Sequence, residues 1–399
     1  MVKTIVVLGG GAAGVKVIRG LVAKLDPTIH RLILITSRPE YVNLIGAIRL
    51  LVDPTTPHSN VFFPYTRLFG DFPGHIVQGT ATSIEETKSE VGKIASRGWS
   101  DSFEALRELG EEERPMAGCG GIIALSTGAK VEYDVIILVT GSAWEGMIAF
   151  PNDPQGYIKH VDTWRKRIRD AQDILIVGGG PVGIETAGEI KDVYPSKGVT
   201  ILQGDRLLLN DVYPDKFRRD IQRRLERRGV EIILNDAVSG NPSTEKPIKT
   251  REGKELTCDL LITARGSGAN TQYLKFLKPN VLTDRGYIKI MSTLEILYHP
   301  GMFALGDIVD WPEVKQLAKI SMGHADVVVN NVVQYLNGEK MTHSYQGSRD
   351  FMAISNGRNG GSSFVGLWWG FVFGNRFTRW IKSRTLLVEQ VRETLGLPE

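Results

Sequence analysis

Cysteine is nearly missing from this chain: two residues, Cys119 and Cys258, in a length of 399. They lie far apart and form no Cys-x-x-Cys, which excludes a disulfide framework and a local redox dithiol and points to a reducing compartment. Long hydrophobic runs are also missing. The longest apolar stretch, Phe364–Gly374, is too short and too rich in glycine to span a bilayer. A strong charge excess is absent, since the formal net charge is +3, so composition selects no partner and no nucleic acid is expected. None of the seven histidines shows metal-ligand spacing, and neither Gly-x-Ser-x-Gly nor His-Glu-x-x-His occurs. Metal and hydrolase chemistry therefore have no support. Lys3 before an apolar run imitates a short signal peptide, but a nucleotide-binding fingerprint occupies the same stretch, which argues against removal. Position 2 is Val, which excludes N-myristoylation. The expected location is cytoplasmic, with peripheral contact to a mitochondrial or other membrane surface as an option.

What the chain does have is glycine in two matching places. Val7-Leu8-Gly9-Gly10-Gly11-Ala12-Ala13-Gly14 follows the apolar run Thr4–Leu8, and Ile176-Val177-Gly178-Gly179-Gly180-Pro181-Val182-Gly183 follows Asp173–Val177. Each reads as a buried strand, a tight turn and a helix start. The first glycine permits the turn, the second lets backbone approach a pyrophosphate, and the third lets the helix lie close on the sheet. Two such sites on one polypeptide suggest a flavin dinucleotide that takes a hydride from a nicotinamide.

The organisation around them is α/β, with two Rossmann-like dinucleotide-binding domains and a small C-terminal α+β domain. The first unit has strand Thr4–Leu8, a helix near Ala12–Leu25 and strand Arg31–Ile35. The polar segment Thr82–Gly121 reads as a loop with one short helix around Ser102–Leu109, and Tyr133–Ser142 reads as an apolar strand ending in Thr-Gly. The second unit has strands Asp173–Val177, Gly198–Leu202, Val230–Leu234 and Leu260–Thr263. Helix Phe217–Gly229 carries apolar Phe217, Ile221 and Leu225 on one face and paired arginines on the others, which reads as a solvated face. Strand Met302-Phe303-Ala304 and helix Gln316–Leu336 return the chain to the first domain. The division is therefore 1–150 and 270–337 for the first dinucleotide domain, 151–269 for the second, and 338–399 for the C-terminal domain.

Four ordered motifs, Gly9–Gly14, Thr140-Gly141, Gly178–Glu189 and Gly306-Asp307, make the chain resemble the two-dinucleotide flavoprotein reductases. That superfamily includes glutathione reductase-like enzymes, type II NADH dehydrogenases and apoptosis-inducing-factor-like proteins. Ser355-Asn356-Gly357-Arg358-Asn359-Gly360-Gly361, Gly374-Asn375-Arg376 and Ile381-Lys382-Ser383-Arg384 are similar to the ferroptosis-suppressor branch. So is Ala187-Gly188-Glu189-Ile190-Lys191. The resemblance implies FAD, NADH or NADPH as co-substrate, and a quinone or other small acceptor reduced by a ping-pong hydride transfer.

It also implies roles. Gly9, Gly11, Ala12, Ala13 and Gly14 would hold the FAD pyrophosphate, with Thr140, Gly141 and Arg49 in the same site. Gly306 and Asp307 would meet the ribityl chain, although an Asp there also suits a helix cap. Lys315 and Gln316 would border the isoalloxazine. Gly178, Gly180, Pro181, Val182, Gly183 and Gly266 would receive NAD(P)H. Glu185 is the expected nicotinamide-positioning or proton-handling acid, or else an ordinary first-turn acid; Glu189, one turn on, reads as structural. Lys382 is expected to protonate or orient a quinone carbonyl, or to be a surface lysine.

Three positions depart from the family pattern. Thr36 stands where a carboxylate usually grips the adenosine ribose, so a hydroxyl or backbone group must replace it. Gln203 stands where NADH-selective sites place an acid, and Arg206 is positioned to pair with a 2′-phosphate, so relaxed NADH/NADPH use is expected. Arg265 replaces an expected Thr and is either an anion contact or a surface replacement. The C-terminal aromatics Phe364, Trp368, Trp369, Phe371, Phe373, Phe377 and Trp380, with basic neighbours, suit a membrane interface or a core packed on the first domain. Rival functions are a reductase for a protein electron carrier, a cell-death or redox-signalling factor controlled by its nucleotides, and oxygen reduction to peroxide. A homodimer is also compatible.

Overall fold

The apolar runs before the two glycine turns are continuous rather than alternating, as in strands covered on both faces. In the computed structural model, which describes residues 2–87, 120–238, 247–313, 315, 317–367 and 370–398, both are interior strands of parallel sheets. The first sheet has the order Met302–Ala304, Val135–Leu138, Lys3–Leu8, His30–Thr36, Gly74–Gln78, all parallel. The second has the order Val230–Ile233, Gly198–Leu202, Asp173–Val177, Leu260–Thr263, also parallel. In each the glycine-bearing strand is internal, so its C-terminal end opens at the crevice where neighbouring connections diverge. Ile5, Val6 and Val7 are fully buried, as is Ile176. Burying each such side chain contributes about 1.5–3 kcal/mol.

Helix Ala12–Val22 lies between the first sheet and helix Ala325–Leu336, where Gly20 admits Val329. That last helix is not the single rod Gln316–Leu336 that its pattern suggests. It starts as Leu317–Lys319, widens into a π-turn over Ile320–His324, and becomes regular from Ala325. Gln316, Ser102–Leu109, Cys119, Trp368 and Trp369 fall outside the described residues.

Two further expectations are corrected. The ends of the polar segment Thr82–Gly121 are not loop: Ala81–Glu86 pairs antiparallel with Gly121–Leu125, which pairs with Lys130–Tyr133. Only Ile84, Ile123 and Leu125 of these are buried apolar residues besides Tyr133, too sparse an alternation to stand out among polar neighbours. The run Tyr133–Ser142 also falls on three strands, Lys130–Tyr133, Val135–Leu138 and Ser142–Ala143. Asp134 breaks it by accepting the backbone N–H of Thr4 at 2.7 Å and Lys3 Nζ at 3.3 Å.

The C-terminal part is an antiparallel sheet, Phe351–Ser355, Gly361–Val365 and Phe371–Phe373, followed by helix Asn375–Thr378, a π-turn over Arg379–Ser383 and helix Val388–Leu395. Its sheet packs on the second domain rather than the first: Phe364 meets Phe217 at 5.6 Å and Tyr213 at 6.1 Å between ring centroids. The first domain's core takes Leu395 of the final helix and Tyr345 of the segment before the sheet.

Candidate active site

Both glycine turns open on one cavity of about 1850 Å³. A single small-molecule site commonly holds roughly 300–1,000 Å³, so this one has room for two dinucleotides. Gly9 (φ +127°) and Gly178 (φ +117°) adopt backbone that L side chains rarely reach, and a Cβ on either would strike a neighbouring backbone carbonyl, that of Val139 or Ala264. Gly14 and Gly183 lie one turn on, over the carbonyls of Gly9 and Gly178, and work by helix–strand approach.

Gly11 and Gly180 behave differently. Their backbones are extended, and a Cβ on either would meet nothing within 4 Å. Each is the N-cap of a helix, starting at Ala12 and Pro181, and neither cap makes a side-chain hydrogen bond. The first-turn N–H groups therefore remain available over empty space, the arrangement that a pyrophosphate satisfies. Ala12, Ala13, Pro181 and Val182 line the cavity beside these caps. The residues fit two dinucleotides.

On the first domain's side, Thr140, Gly141, Gly306, Asp307 and Lys315 all face the cavity. Asp307 accepts a hydrogen bond from Ser142 Oγ at 2.7 Å, which holds one carboxylate oxygen and leaves the other for a hydroxyl donor. Thr140 donates to the Asn270 carbonyl at 2.6 Å. Lys315 donates to the Val309 carbonyl and sits 4.8 Å from the Tyr287 ring centre. Burial lowers its pKa despite the facing Asp307 and Asp310. Behind Gly306, His324 Nδ1 accepts the Gly306 N–H at 3.2 Å. Burial pushes that imidazole down to about 4, so it is neutral near pH 7.

Thr36 lines the cavity, but its hydroxyl turns to the Arg38 carbonyl at 3.1 Å. A carboxylate nevertheless lines the cavity four residues on, that of Glu40. Pro39, which ends the strand run, was the available signal. Arg38 is held against the carbonyls of Phe150 and Pro151 at 2.8 and 3.1 Å.

Two expected contacts are corrected. Arg49 does not line the cavity. It is buried in helix Leu44–Val52 and forms a two-pronged ion pair with Glu189, at 2.9 and 2.7 Å. Burial nevertheless holds the Glu189 carboxyl above its ordinary range. Arg206 is likewise spent on Asp215, with contacts of 2.7 and 2.6 Å, which raise the arginine's pKa and lower that of Asp215 to about 2. It is therefore not poised for a 2′-phosphate.

Gln203 faces the cavity, where its Oε1 accepts the Gly179 N–H at 2.8 Å and its Nε2 donates to Asp205 at 2.9 Å. Asp205 lines the cavity as well, so an acid is present two residues past the expected place. Gly266 borders the same cavity, and Arg265 borders it and a neighbouring one of about 450 Å³ shared with Arg251.

The C-terminal domain closes the remaining wall. Lys382, in the π-turn Arg379–Ser383, donates to Glu185 Oε1 at 2.6 Å and to the Ala353 carbonyl at 2.9 Å. The same Glu185 oxygen accepts the Ser355 N–H at 2.9 Å. Both residues line the cavity, and Glu185 is 6% exposed. Two chemically suited residues, read separately from the sequence, thus form one ion pair across 197 positions. Phe351, Met352, Ile381 and Leu387 of the same C-terminal domain also line the cavity. No cysteine lines the cavity among the described residues.

Residues 3–325 match the family model described as pyridine nucleotide-disulphide oxidoreductase. The chain is 34% identical over 348 residues to "FAD-dependent oxidoreductase FVFD30" of Flammulina velutipes, covering 87% of this chain and 99% of that protein. It is 26% identical over 401 residues to ferroptosis suppressor protein 1 of Taeniopygia guttata, covering 98% and 95%. The similarity to the ferroptosis-suppressor branch carried by the C-terminal motifs is borne out. Among solved structures, the sulfide:quinone oxidoreductase of Aquifex aeolicus superposes with a TM-score of 0.75 over 99% of this chain and 92% of that one, at 13% identity. At that identity the likeness concerns the fold, two dinucleotide-binding domains of the flavoprotein oxidoreductase type.

Proposed function

The chain belongs to the pyridine nucleotide-disulphide oxidoreductase family as an FAD-dependent NAD(P)H oxidoreductase, and from that premise we propose that its acceptor is a quinone. FAD, when bound, takes a hydride from NAD(P)H and hands two electrons to the acceptor. The observation that carries the proposal is the Lys382–Glu185 pair in the cavity wall, to which the same domain also contributes the apolar Met352, Ile381 and Leu387.

Reducing a quinone to a hydroquinone with one NAD(P)H consumes one further proton. An ammonium group has three donors, and Lys382 uses two, on Glu185 and on the Ala353 carbonyl. The third is available to a carbonyl oxygen in the cavity. Glu185 accepts from that ammonium and aims it, and the proton that Lys382 gives up is replaced from solvent. Asp307, oriented by Ser142, and the two uncapped helix starts hold the nucleotides so that the rings align; alignment at near-contact distance is the protein's main contribution. The apolar side chains Ile381, Leu387 and Met352 suit a flat hydrophobic ring and exclude water from it. No cysteine among the described residues lines the cavity, and the proposed transfer to the acceptor is direct.

The test begins with the absorption spectrum of the purified yellow protein. Anaerobic NADH or NADPH should bleach it, and a soluble quinone should restore it within the turnover time. Bleached protein that quinone leaves unchanged, but that oxygen or an iron–sulfur carrier protein reoxidises, would sink the quinone reading. Slow bleaching into a long-lived charge-transfer species would point instead to a nucleotide-controlled switch.

A further inference from the structure

In the C-terminal sheet the edge strand Phe371–Phe373 alternates in the usual way, with Val372 turned toward the core. The outward positions, where polar residues normally stand, are instead Phe371 and Phe373, exposed by 45% and 36%. Phe371 lies 6.3 Å from Phe373, which lies 4.5 Å from Phe377, which lies 6.2 Å from Trp380, itself 77% exposed. Single exposed rings are ordinary, whereas three exposed rings joined into one row through the half-buried Phe377 are not. The row is also rigidly mounted. Thr378 Oγ1 lies 2.8 Å from Ser363 Oγ, and Asn375 accepts the Gly361 N–H at 3.0 Å.

Arg376, Arg379 and Arg384 are exposed around this row, and none forms an ion pair among the described residues. The row also adjoins the active site, since Trp380 precedes the cavity-lining Ile381 and Lys382. We propose that this aromatic row and its arginines form a docking face for an anionic lipid bilayer, placing the cavity wall at Ile381–Lys382 beside the membrane. Trp and Phe rings favour the headgroup–acyl boundary, and unpaired arginines are drawn to anionic headgroups. A second copy of the chain is disfavoured on this face, because a two-fold contact would set the arginines against each other. No helix among the described residues is long and apolar enough to cross a membrane, so attachment by this face would be peripheral. The inference rests on the quinone reading only for its purpose, since a lipid-soluble acceptor would arrive from that side.

The experiment is co-sedimentation of the FAD-loaded full chain with vesicles of phosphatidylcholine alone or mixed with phosphatidylserine. Binding should require the anionic lipid and weaken as salt rises. Trp380→Ser/Phe371→Ser and Arg376→Glu/Arg379→Glu should each reduce the bound fraction by roughly tenfold or more. Both variants should keep the flavin spectrum and turnover with a water-soluble acceptor, which shows that they fold. The proposal is overturned by no binding to anionic vesicles, by binding that neither variant changes, or by a concentration-dependent dimer abolished by the same substitutions. Vesicle binding without quinone reduction would retain the docking face and remove the quinone acceptor; quinone reduction without vesicle binding would do the reverse.

Discussion

Replacing Arg49 with Met removes the cation from a pair whose side chains are 5% and 3% exposed. Glu189 then remains buried with no opposite charge. Breaking such a pair from one side costs about 3–5 kcal/mol, because the remaining charge stays desolvated. For a domain-sized unit that is a loss of roughly 6–20 °C in Tm. The loss should depend on pH, with a definite sign. Burial already holds the folded-state pKa of Glu189 above its ordinary value, and Arg49 works against that rise. Without Arg49 the pKa rises further, so the folded state binds the proton more tightly than the unfolded chain. Stability from this group is then full at low pH and lost as pH rises through the folded pKa, so the deficit should grow as pH rises above the ordinary carboxylate range. Arg49→Met/Glu189→Met removes both charges at similar volume and should recover most of the loss. Differential scanning fluorimetry of the FAD-saturated proteins at one scan rate gives these values, and the flavin spectrum serves as the second readout. Both variants should stay yellow. A double variant that folds but is colourless would show that Arg49 holds the cofactor, and an unchanged Tm for Arg49→Met at pH 8 would refute the pairing argument.

Gly11→Val should fold normally and purify colourless, because its backbone is extended and the new side chain meets no protein atom, only the space assigned to pyrophosphate; retention of stoichiometric flavin would refute that placement. Glu185→Gln and Lys382→Met should keep flavin and lower quinone-dependent turnover by about 10²–10⁴-fold, measured by stopped-flow reoxidation; unchanged rates would remove them from the chemistry. Asp205→Ser should shift the NADH:NADPH ratio of kcat/KM toward NADPH by about tenfold or more, whereas Arg206→Ala, already committed to Asp215, should leave the ratio unchanged. Gly188→Val should mimic loss of Lys382 in the same stopped-flow assay while both ion-pair residues are present, since a Cβ there would lie 2.8 Å from Asn356 Cα.

The parts of the site set by local backbone were legible in the sequence. A glycine turn after an apolar run has few other uses, and Gly9, Gly11, Gly178 and Gly180 lie where that pattern requires. Asp307 and Glu185 were legible through strand-end and helix-start positions. What escaped was set by side-chain pairing between distant segments. Arg49 looked available for an anion because nothing in its own helix opposes it, yet its partner lies 140 residues away. Arg206 looked free for a different reason: Asp215 is near in sequence but belongs to the next helix. Glu40 and Asp205 are not evident from the strand tips, because each acid follows its strand within four residues. The meander was missed because its strands are half-polar and the segment between them obscures their pairing.

The C-terminal domain explains why one end of the chain completes a site built from two others. It is docked chiefly on the second dinucleotide domain. Gly188 admits the Asn356–Gly357 turn against helix Pro181–Val193, Asp192 accepts the Arg358 N–H at 3.0 Å, and Arg228 spans Asp192 and the Asn356 carbonyl at 2.7 and 2.5 Å. These contacts lie within two turns of Glu185 on that helix. Lys382 is therefore referenced to Glu185 by the backbone that carries both. The same domain reaches the first dinucleotide domain through Arg358 to Asp53 at 2.6 Å and Asn43 to the Leu386 carbonyl at 3.2 Å. Helix Val388–Leu395 then seats Leu395 in the first core. A lysine on a free loop would spend side-chain and backbone entropy each time it met its carboxylate. Fixed at both ends across the two nucleotide domains, this one is oriented before any substrate enters.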